Sequence, residues 1–449
     1  MNLDQIKSVY FIGIGGIGMS ALARYFKAIG KDVFGYDKVR SPLCENLEGE
    51  GMNIVYNDHA KEIPEHVLNT KTSICVFTPA IPENSAIKSQ FINQGFTLYK
   101  RAEILGFISL QKECLAVAGT HGKTTTSSIL AHIMHVGNTG ASAFIGGILN
   151  NYHSNLILGK GDGMVVEADE FDRSFLHLNV KHTVLTSIDA DHLDIYGDHD
   201  TMKSCFSEYL NKVKGKKVIH KSIDLDKDYS YAINETADFY ADSIQMVNGD
   251  MHFSYHGING ISFKCMMPFP GLHNVENAVA ALALAQLEGV SIANMQKALA
   301  TFKGIQRRFD VEKIGDRIQI DDYAHHPTEL KRAIESVREF YPNKRLLTIF
   351  QPHLFSRTQD FMDEFAEILS YSDQCWVLDI YPARELPING VTSEVLVGKI
   401  PEAKKINPYE LEKLIAESNS DIILTVGAGD IANYISKIRT FMSNYEINP

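Results

Sequence analysis

The segment ECLAVAGTHGKTTTSSILAHIM, residues 113–134, constrains the fold of this chain more than any other. An apolar run of strand length meets two glycines and a lysine, then a helical run. A strand that ends in a glycine turn and feeds a helix is the building step of a parallel α/β sheet. Within GTHGKTTT, Gly119 and Gly122 let the backbone turn so that its N–H groups, including those of Thr120 and His121, face phosphate oxygens. Lys123 supplies a point charge for β- and γ-phosphates, and Thr124 a hydroxyl for Mg²⁺. Thr125 continues the first turn of a helix whose N-terminus favours anions. The spacing is shorter than the general G-x-x-x-x-G-K-[ST] form, so the strand–loop–helix context carries the reading. The plain alternative is a glycine turn with an exposed lysine.

The same step recurs along the chain and divides it. SVYFIGIGGIGMSALARYF opens a first block, with further strands KDVFGYD and SICVF, ending near residue 108. A second block, 109–305, carries the phosphate loop and the strands GMVVEAD and HTVLTSIDADHLD. It also holds a stretch of short alternating segments at 215–270, read as extra strands, and the helix HNVENAVAALALAQLEG. A third block, 306–449, has RIQIDDYAHHPTEL, RLLTIFQPH, QCWVLDIYP and DIILTVGAGDI. Each of these is a strand whose C-terminal end is polar or glycine-rich, the edge at which open α/β sheets bind ligands. With 449 residues, two or three domains are expected.

Other motifs sit at such edges. GIGGIGMS places Gly13, Gly15, Gly16, Ile17 and Gly18 in a dinucleotide-type turn, and Asp37 ends the next strand, where a ribose-binding acid belongs. Glycines there permit a diphosphate to approach a helix N-terminus, which suits NAD and a UDP-sugar equally. Glu167 in EADE is a hard oxygen donor for Mg²⁺ beside the phosphate loop. Asp191, His192 and Asp194 end the following strand, with His192 as a second metal ligand or a phosphate-orienting group. Asn274 and Asn277 carry amides suited to an adenine edge, although Asn274 can equally cap its helix. Arg307 and Arg308 stand at the junction of the second and third blocks and suit a nucleotide phosphate. In DDYAHHPTEL, Pro327 suits the first position of a helix, and His325 and His326 lack metal-ligand spacing. His353 and Arg357 in QPHLFSRT suit a small carboxylate.

A net charge of −12 argues against a nucleic acid or an acidic membrane surface as the main partner. The six scattered cysteines form no C-x-x-C, which fits buried thiols in a reducing compartment. No apolar run approaches the roughly 18 residues that would span a bilayer, so a cytoplasmic protein is expected.

Taken in order, GIGGIGMS, GTHGKTTT, EADE, DHLD, HNxxN, RRF, DDYAHHPTE, QPH–SRT and GAGDI resemble the Mur ligases of peptidoglycan precursor synthesis. The resemblance runs from residue 13 to residue 431. It implies an α/β protein of three domains: an N-terminal Rossmann-like domain for a UDP-sugar, a central P-loop ATPase-type domain, and a C-terminal Rossmann-like domain that closes on an amino acid. Among its branches, the alanine-adding one matches best. That branch implies ATP-dependent ligation of L-alanine to the lactyl carboxylate of UDP-N-acetylmuramate through an acyl-phosphate, with Mg²⁺. Carried over, Gly15, Gly16, Ile17, Gly18 and Asp37 would hold the UDP-sugar. Gly119 to Thr125, Asn274, Asn277, Arg307 and Arg308 would hold ATP. Thr124, Glu167 and His192 would bind the metal, with Lys123, Glu167 and His192 catalytic. Tyr323, His325, His353 and Arg357 would line the L-alanine pocket. Two positions depart or distinguish. Leu354 stands where the family often has a basic residue, and Ser207 stands near the place of a modified lysine that the alanine-adding branch lacks. The alternatives are a murein tripeptide recycling ligase of the same family, a nicotinamide dehydrogenase using residues 13–37, and a nucleotide-binding regulator without chemistry.

Overall fold

The structure is a computed structural model, and it describes residues 3–189, 199–247, 249–268, 270–383 and 385–447. Within these, three sheets follow one another along the chain. The first contains β1 (Ser8–Ile12), β2 (Asp32–Tyr36), β3 (Asn53–Val55), β4 (Ser73–Phe77) and β5 (Leu98–Lys100). Its order is β3-β2-β1-β4-β5, and all its pairs are parallel. β1 is central and buried at every residue, which explains the apolar run Val9–Ile12 after Ser8. The order reverses between β1 and β4, and the GIGGIG turn leaves β1 at that crevice.

The second sheet has ten strands. β6 (Glu113–Ala118), β7 (Ser142–Leu149), β9 (Gly163–Ala168), β10 (Val180–Leu185), β11 (Lys217–His220), β12 (Tyr229–Ile233) and β13 (Phe239–Val247) pair in parallel in the order β13-β12-β11-β10-β6-β9-β7. β8 (Ser154–Ile157) extends one edge antiparallel, and β14 (Asp250–His256) with β15 (Ser262–Met267) extends the other. The segments read as extra strands at 215–270 are therefore β11 to β15. The helix Leu272–Leu287 is buried along almost its whole length from Asn274 to Ala285. Its alanines let it lie close to the helix Lys123–Val136, and Val279, Leu282 and Leu284 are fully buried. Each such side chain contributes about 1.5–3 kcal/mol.

Residues 1–303 form one compact unit and 304–449 another. Inside the first unit a polar clamp joins the first two sheets' layers. Asn155, at zero exposure, donates to the Ile17 carbonyl at 2.6 Å and to Ser20 Oγ at 2.9 Å. Its Oδ1 accepts from Arg24 at 2.6 Å, and Arg24 also binds Glu50 at 2.7 Å. Burying this guanidinium is tolerable because its donors are matched.

The second unit is built on β16 (Asp310–Ile314), β17 (Arg317–Asp322), β18 (Leu346–Phe350), β19 (Gln374–Val377), β20 (Lys404–Lys405) and β21 (Ile422–Val426). Their order is β16-β17-β21-β18-β19-β20, with β16 antiparallel and the rest parallel. The helix after DDYAHH starts at Pro327, with His326 as its cap. All six cysteines are free and buried. No helix among the described residues is long and apolar enough to cross a membrane.

Candidate functional site

The phosphate loop leaves β6 at Ala118 and enters the helix Lys123–Val136. Its glycines are obligatory on geometry. Gly119 has φ +131° and Gly122 φ +78°. A Cβ on Gly122 would also stand 2.5 Å from Asn277 Oδ1. The end of β10 straps the loop down. Thr120 N donates to the Ser187 carbonyl at 3.1 Å, His121 N donates to Ser187 Oγ at 2.9 Å, and Thr186 Oγ1 donates to the His121 carbonyl at 2.5 Å. Asp189 lies 3.4 Å from the His121 ring. Sequence reasoning named neither Thr186 nor Ser187. Their signal was a polar pair ending an apolar strand, which β10 shares with many strands.

Lys123 Nζ donates to Glu170 Oε2 at 2.7 Å, Oε1 at 2.9 Å and the Gly119 carbonyl at 2.6 Å. Glu170 is completely buried. Burial pushes its carboxyl above the usual carboxylate range, and the Lys123 ammonium works against that shift. Next to the lysine, Thr124 Oγ1 donates to Glu167 Oε2 at 3.1 Å. Glu167 Oε1 accepts from Ser127 Oγ at 3.2 Å and from Gly146 N at 2.6 Å. A hydroxyl and a carboxylate thus meet at the helix N-terminus, both hard oxygen donors of the kind Mg²⁺ takes. His192, with Asp191 and Asp194, lies outside the described residues. Asn277 lines the loop and accepts from Thr126 Oγ1 at 3.1 Å. Asn274, 2% exposed, donates instead to the Pro270 carbonyl at 2.5 Å, so its amide braces the turn before its own helix.

At the first sheet's crevice, Gly15 N donates to Asp37 Oδ2 at 2.8 Å. The strand-end acid therefore braces the glycine turn with one oxygen, and its Oδ1 accepts from Val39 N at 3.1 Å. Gly16 caps the helix Ile17–Ala28. A Cβ on Gly18 would meet Arg101 Cδ at 2.6 Å. A cavity of about 270 Å³ lies between this helix and Glu167, lined by Ile17, Leu22, Arg101, Phe144, Gly146 and Asp169 among others.

In the second unit the polar groups gather at the C-terminal ends of β17, β18 and β21. The Tyr323 ring has the Arg307 and Arg308 guanidinium carbons 5.0 and 5.4 Å from its centre. Arg307 Nε approaches Asp321 at 3.4 Å, and its Nη2 donates to the Gly427 carbonyl. Asp322 accepts from the Phe309 and Ala324 amides at 2.7 Å, and burial pushes its carboxyl up to about 6. The His325 and His353 rings lie 5.8 Å apart, and Tyr381 stacks on His353 at 5.7 Å and 15°. Burial, then His325 and Arg357, holds His353 down to about 4. Burial likewise lowers His325. Both rings are therefore neutral near pH 7. His353 Nδ1 and Arg357 Nη1 are buried with no hydrogen-bond partner among the described residues, an expensive state that a bound polar group relieves. Leu354 holds φ +71° and donates its N–H to the Tyr381 carbonyl at 2.9 Å. Gln351 bridges this loop to the GAGDI turn, accepting from Ile431 N at 2.8 Å and donating to Asp430 at 2.5 Å. Tyr381 was not singled out from the sequence, since it stands 28 residues beyond His353, in the loop that follows β19.

Three family models follow one another along the chain. They are the Mur ligase family, catalytic domain, over residues 8–113; the Mur ligase middle domain over 117–285; and the Mur ligase, glutamate ligase domain over 307–429. The chain is 47% identical to a UDP-N-acetylmuramate–L-alanine ligase of Flavobacterium johnsoniae over 99% of each chain. It is 43% identical to the ligase of that name from Parabacteroides distasonis over 98% of each. Among solved structures, the UDP-N-acetylmuramate-alanine ligase of Thermotoga maritima superposes with a TM-score of 0.84 at 26% identity, covering 98% of this chain and 100% of that one. A murein peptide ligase of Psychrobacter arcticus shares the fold with a TM-score of 0.72 at 22% identity, covering 98% and 99%.

Proposed function

The chain belongs to the Mur ligase family, and from that premise we propose that it joins L-alanine to the lactyl carboxylate of UDP-N-acetylmuramate at the expense of ATP. The observation that carries this reading is the cluster at the phosphate loop. Lys123, Thr124 and Glu167 meet at one helix N-terminus, at the C-terminal ends of the parallel strands β6 and β9. In this assignment residues 1–108 take the sugar nucleotide, 109–305 the ATP and 306–449 the amino acid. The compartment is the cytoplasm, in keeping with six free and buried cysteines.

A carboxylate is a poor acyl donor, so it must be activated before an amine can attack. An oxygen of the lactyl carboxylate attacks the γ-phosphorus, the bond to the β–γ bridging oxygen breaks, and ADP leaves. The alanine amine then attacks the acyl carbon of the acyl-phosphate. The C–O bond to phosphate breaks, inorganic phosphate departs, and the amine gives up its proton. Lys123 and the loop amides neutralise charge on the transferring phosphoryl group. Thr124 and Glu167, with His192, would hold Mg²⁺, which supplies further charge neutralisation when bound. Arg357, whose Nη1 has no partner among the described residues, offers a donor to the amino acid's carboxylate, and neutral His353 offers an acceptor to its ammonium group. Gly15 to Gly18 and the helix they open would hold the diphosphate.

Phosphate release from ATP tests the reading. It is expected to need UDP-N-acetylmuramate and L-alanine together, and to give a product heavier than the sugar nucleotide by one alanyl residue. Release driven by a murein tripeptide in place of L-alanine would favour the recycling reaction. Release without any acceptor would remove the ligase reading. The full-length similarity to alanine ligases at over 40% identity favours the first outcome.

A further inference from the structure

An ammonium group has three N–H donors. At Lys123 three short contacts match them: both oxygens of Glu170 and the Gly119 carbonyl, all within 2.9 Å, with the Thr120 carbonyl a longer fourth acceptor at 3.4 Å. A phosphate oxygen can bond this lysine only by displacing one of these acceptors. The Gly119 carbonyl belongs to the loop backbone, fixed by Thr120 and His121 on Ser187. The Glu170 side chain is the partner that can yield. It sits where the chain turns from β9 into the short helix Phe171–His177, outside the strand ladder. Glu167 is committed elsewhere, to Thr124, Ser127 and Gly146, and Asp169 faces Arg101 at 3.4 Å.

We propose that Glu170 is a positioning residue that competes with the nucleotide for Lys123, holding the ammonium at the loop until triphosphate oxygens take it over. This rests on the reading of the loop as an ATP site and adds a step to it. The competition makes nucleotide affinity weaker than the loop alone would give. It also keeps the ammonium beside the Gly119 carbonyl of the loop in the free enzyme, so that it enters the phosphate shell from a fixed direction.

A double-mutant cycle on the full chain tests it, with titration calorimetry of magnesium-loaded, non-hydrolysable ATP analogue as the readout. Glu170→Gln is expected to tighten binding by roughly three- to tenfold, because a neutral amide holds the ammonium less strongly. With Lys123→Met already present, Glu170→Gln should change affinity by less than about twofold. A merely structural role would move both backgrounds alike. Unchanged or weaker binding in the otherwise native chain, or equal tightening in both backgrounds, overturns the competition. Should Lys123→Met melt below the assay temperature, the series Glu, Asp, Gln at position 170 decides, and affinity must rise along it. A native chain that binds no nucleotide would instead overturn the ATP-site reading itself.

Discussion

Lys123→Ala is expected to damage the protein in two separable ways. The first is stability. The substitution leaves Glu170, at zero exposure, without the cation that most favours its charge. Breaking one side of a buried ion pair costs about 3–5 kcal/mol. At about 2 °C per kcal/mol for a large cooperative unit, the melting temperature should fall by about 6–10 °C. The loss depends on pH, and its sign follows from the carboxyl. Burial already places the folded Glu170 above its unfolded value, and removing Lys123 raises it further. The folded state then binds the proton more tightly. Its stability is retained at low pH and declines as pH rises from the unfolded value through the folded one. The gap between variant and native melting should be smallest near pH ~5 and widest near pH ~8. Adding Glu170→Gln should recover most of the melting temperature. The second loss is turnover, by about three orders of magnitude, and Glu170→Gln should not recover it. Differential scanning calorimetry and a phosphate-release assay read the two. Native melting of Lys123→Ala at pH ~8 would refute the buried-pair argument, and near-native turnover would refute the assigned role of the lysine.

Three other outcomes follow from the same geometry. Gly146→Ala places a Cβ 2.6 Å from Glu167 Oε2 and so pushes the carboxylate off Thr124; turnover should fall about tenfold and need more magnesium for half-saturation, read by a magnesium titration. Arg357→Lys loses the planar fork, and the KM for L-alanine should rise about 10–100-fold while nucleotide affinity measured by calorimetry stays unchanged. His353 is held down to about 4 by burial, so the folded state disfavours its proton. Stability of residues 304–449 should therefore decline as pH falls from about 6.5 to about 4, and His353→Gln should flatten that slope in an acid titration of unfolding.

What the sequence made legible were the strand–loop–helix steps, because glycine at a strand end and Pro327 at a helix start are local signals. β1, β6, β17 and the loops that follow them were readable for that reason. The pairing of β13 to β15 as an antiparallel edge was not, since alternation marks a strand without marking its neighbour. The side chains that brace the site were harder still. Glu170 was in view inside EADE, yet its burial against Lys123 depends on how the chain turns after β9. Ser187 reaches the phosphate loop, and Tyr381 reaches His353, each from beyond the end of another strand of its own unit, and no spacing along the chain announces that. Asn274 illustrates the converse: an amide suited to adenine is engaged by the turn of its own helix. Asp37 is similar, since the acid expected to face a ribose already holds Gly15.

The transfer of a phosphoryl group to the sugar nucleotide's carboxylate can be followed directly with ¹⁸O. UDP-N-acetylmuramate labelled in both lactyl carboxylate oxygens is turned over with ATP and L-alanine, and the released phosphate is weighed by mass spectrometry. Attack on the γ-phosphorus followed by displacement at carbon carries one ¹⁸O into each phosphate and leaves the other in the amide. Unlabelled phosphate, or label appearing in AMP, would contradict the acyl-phosphate route.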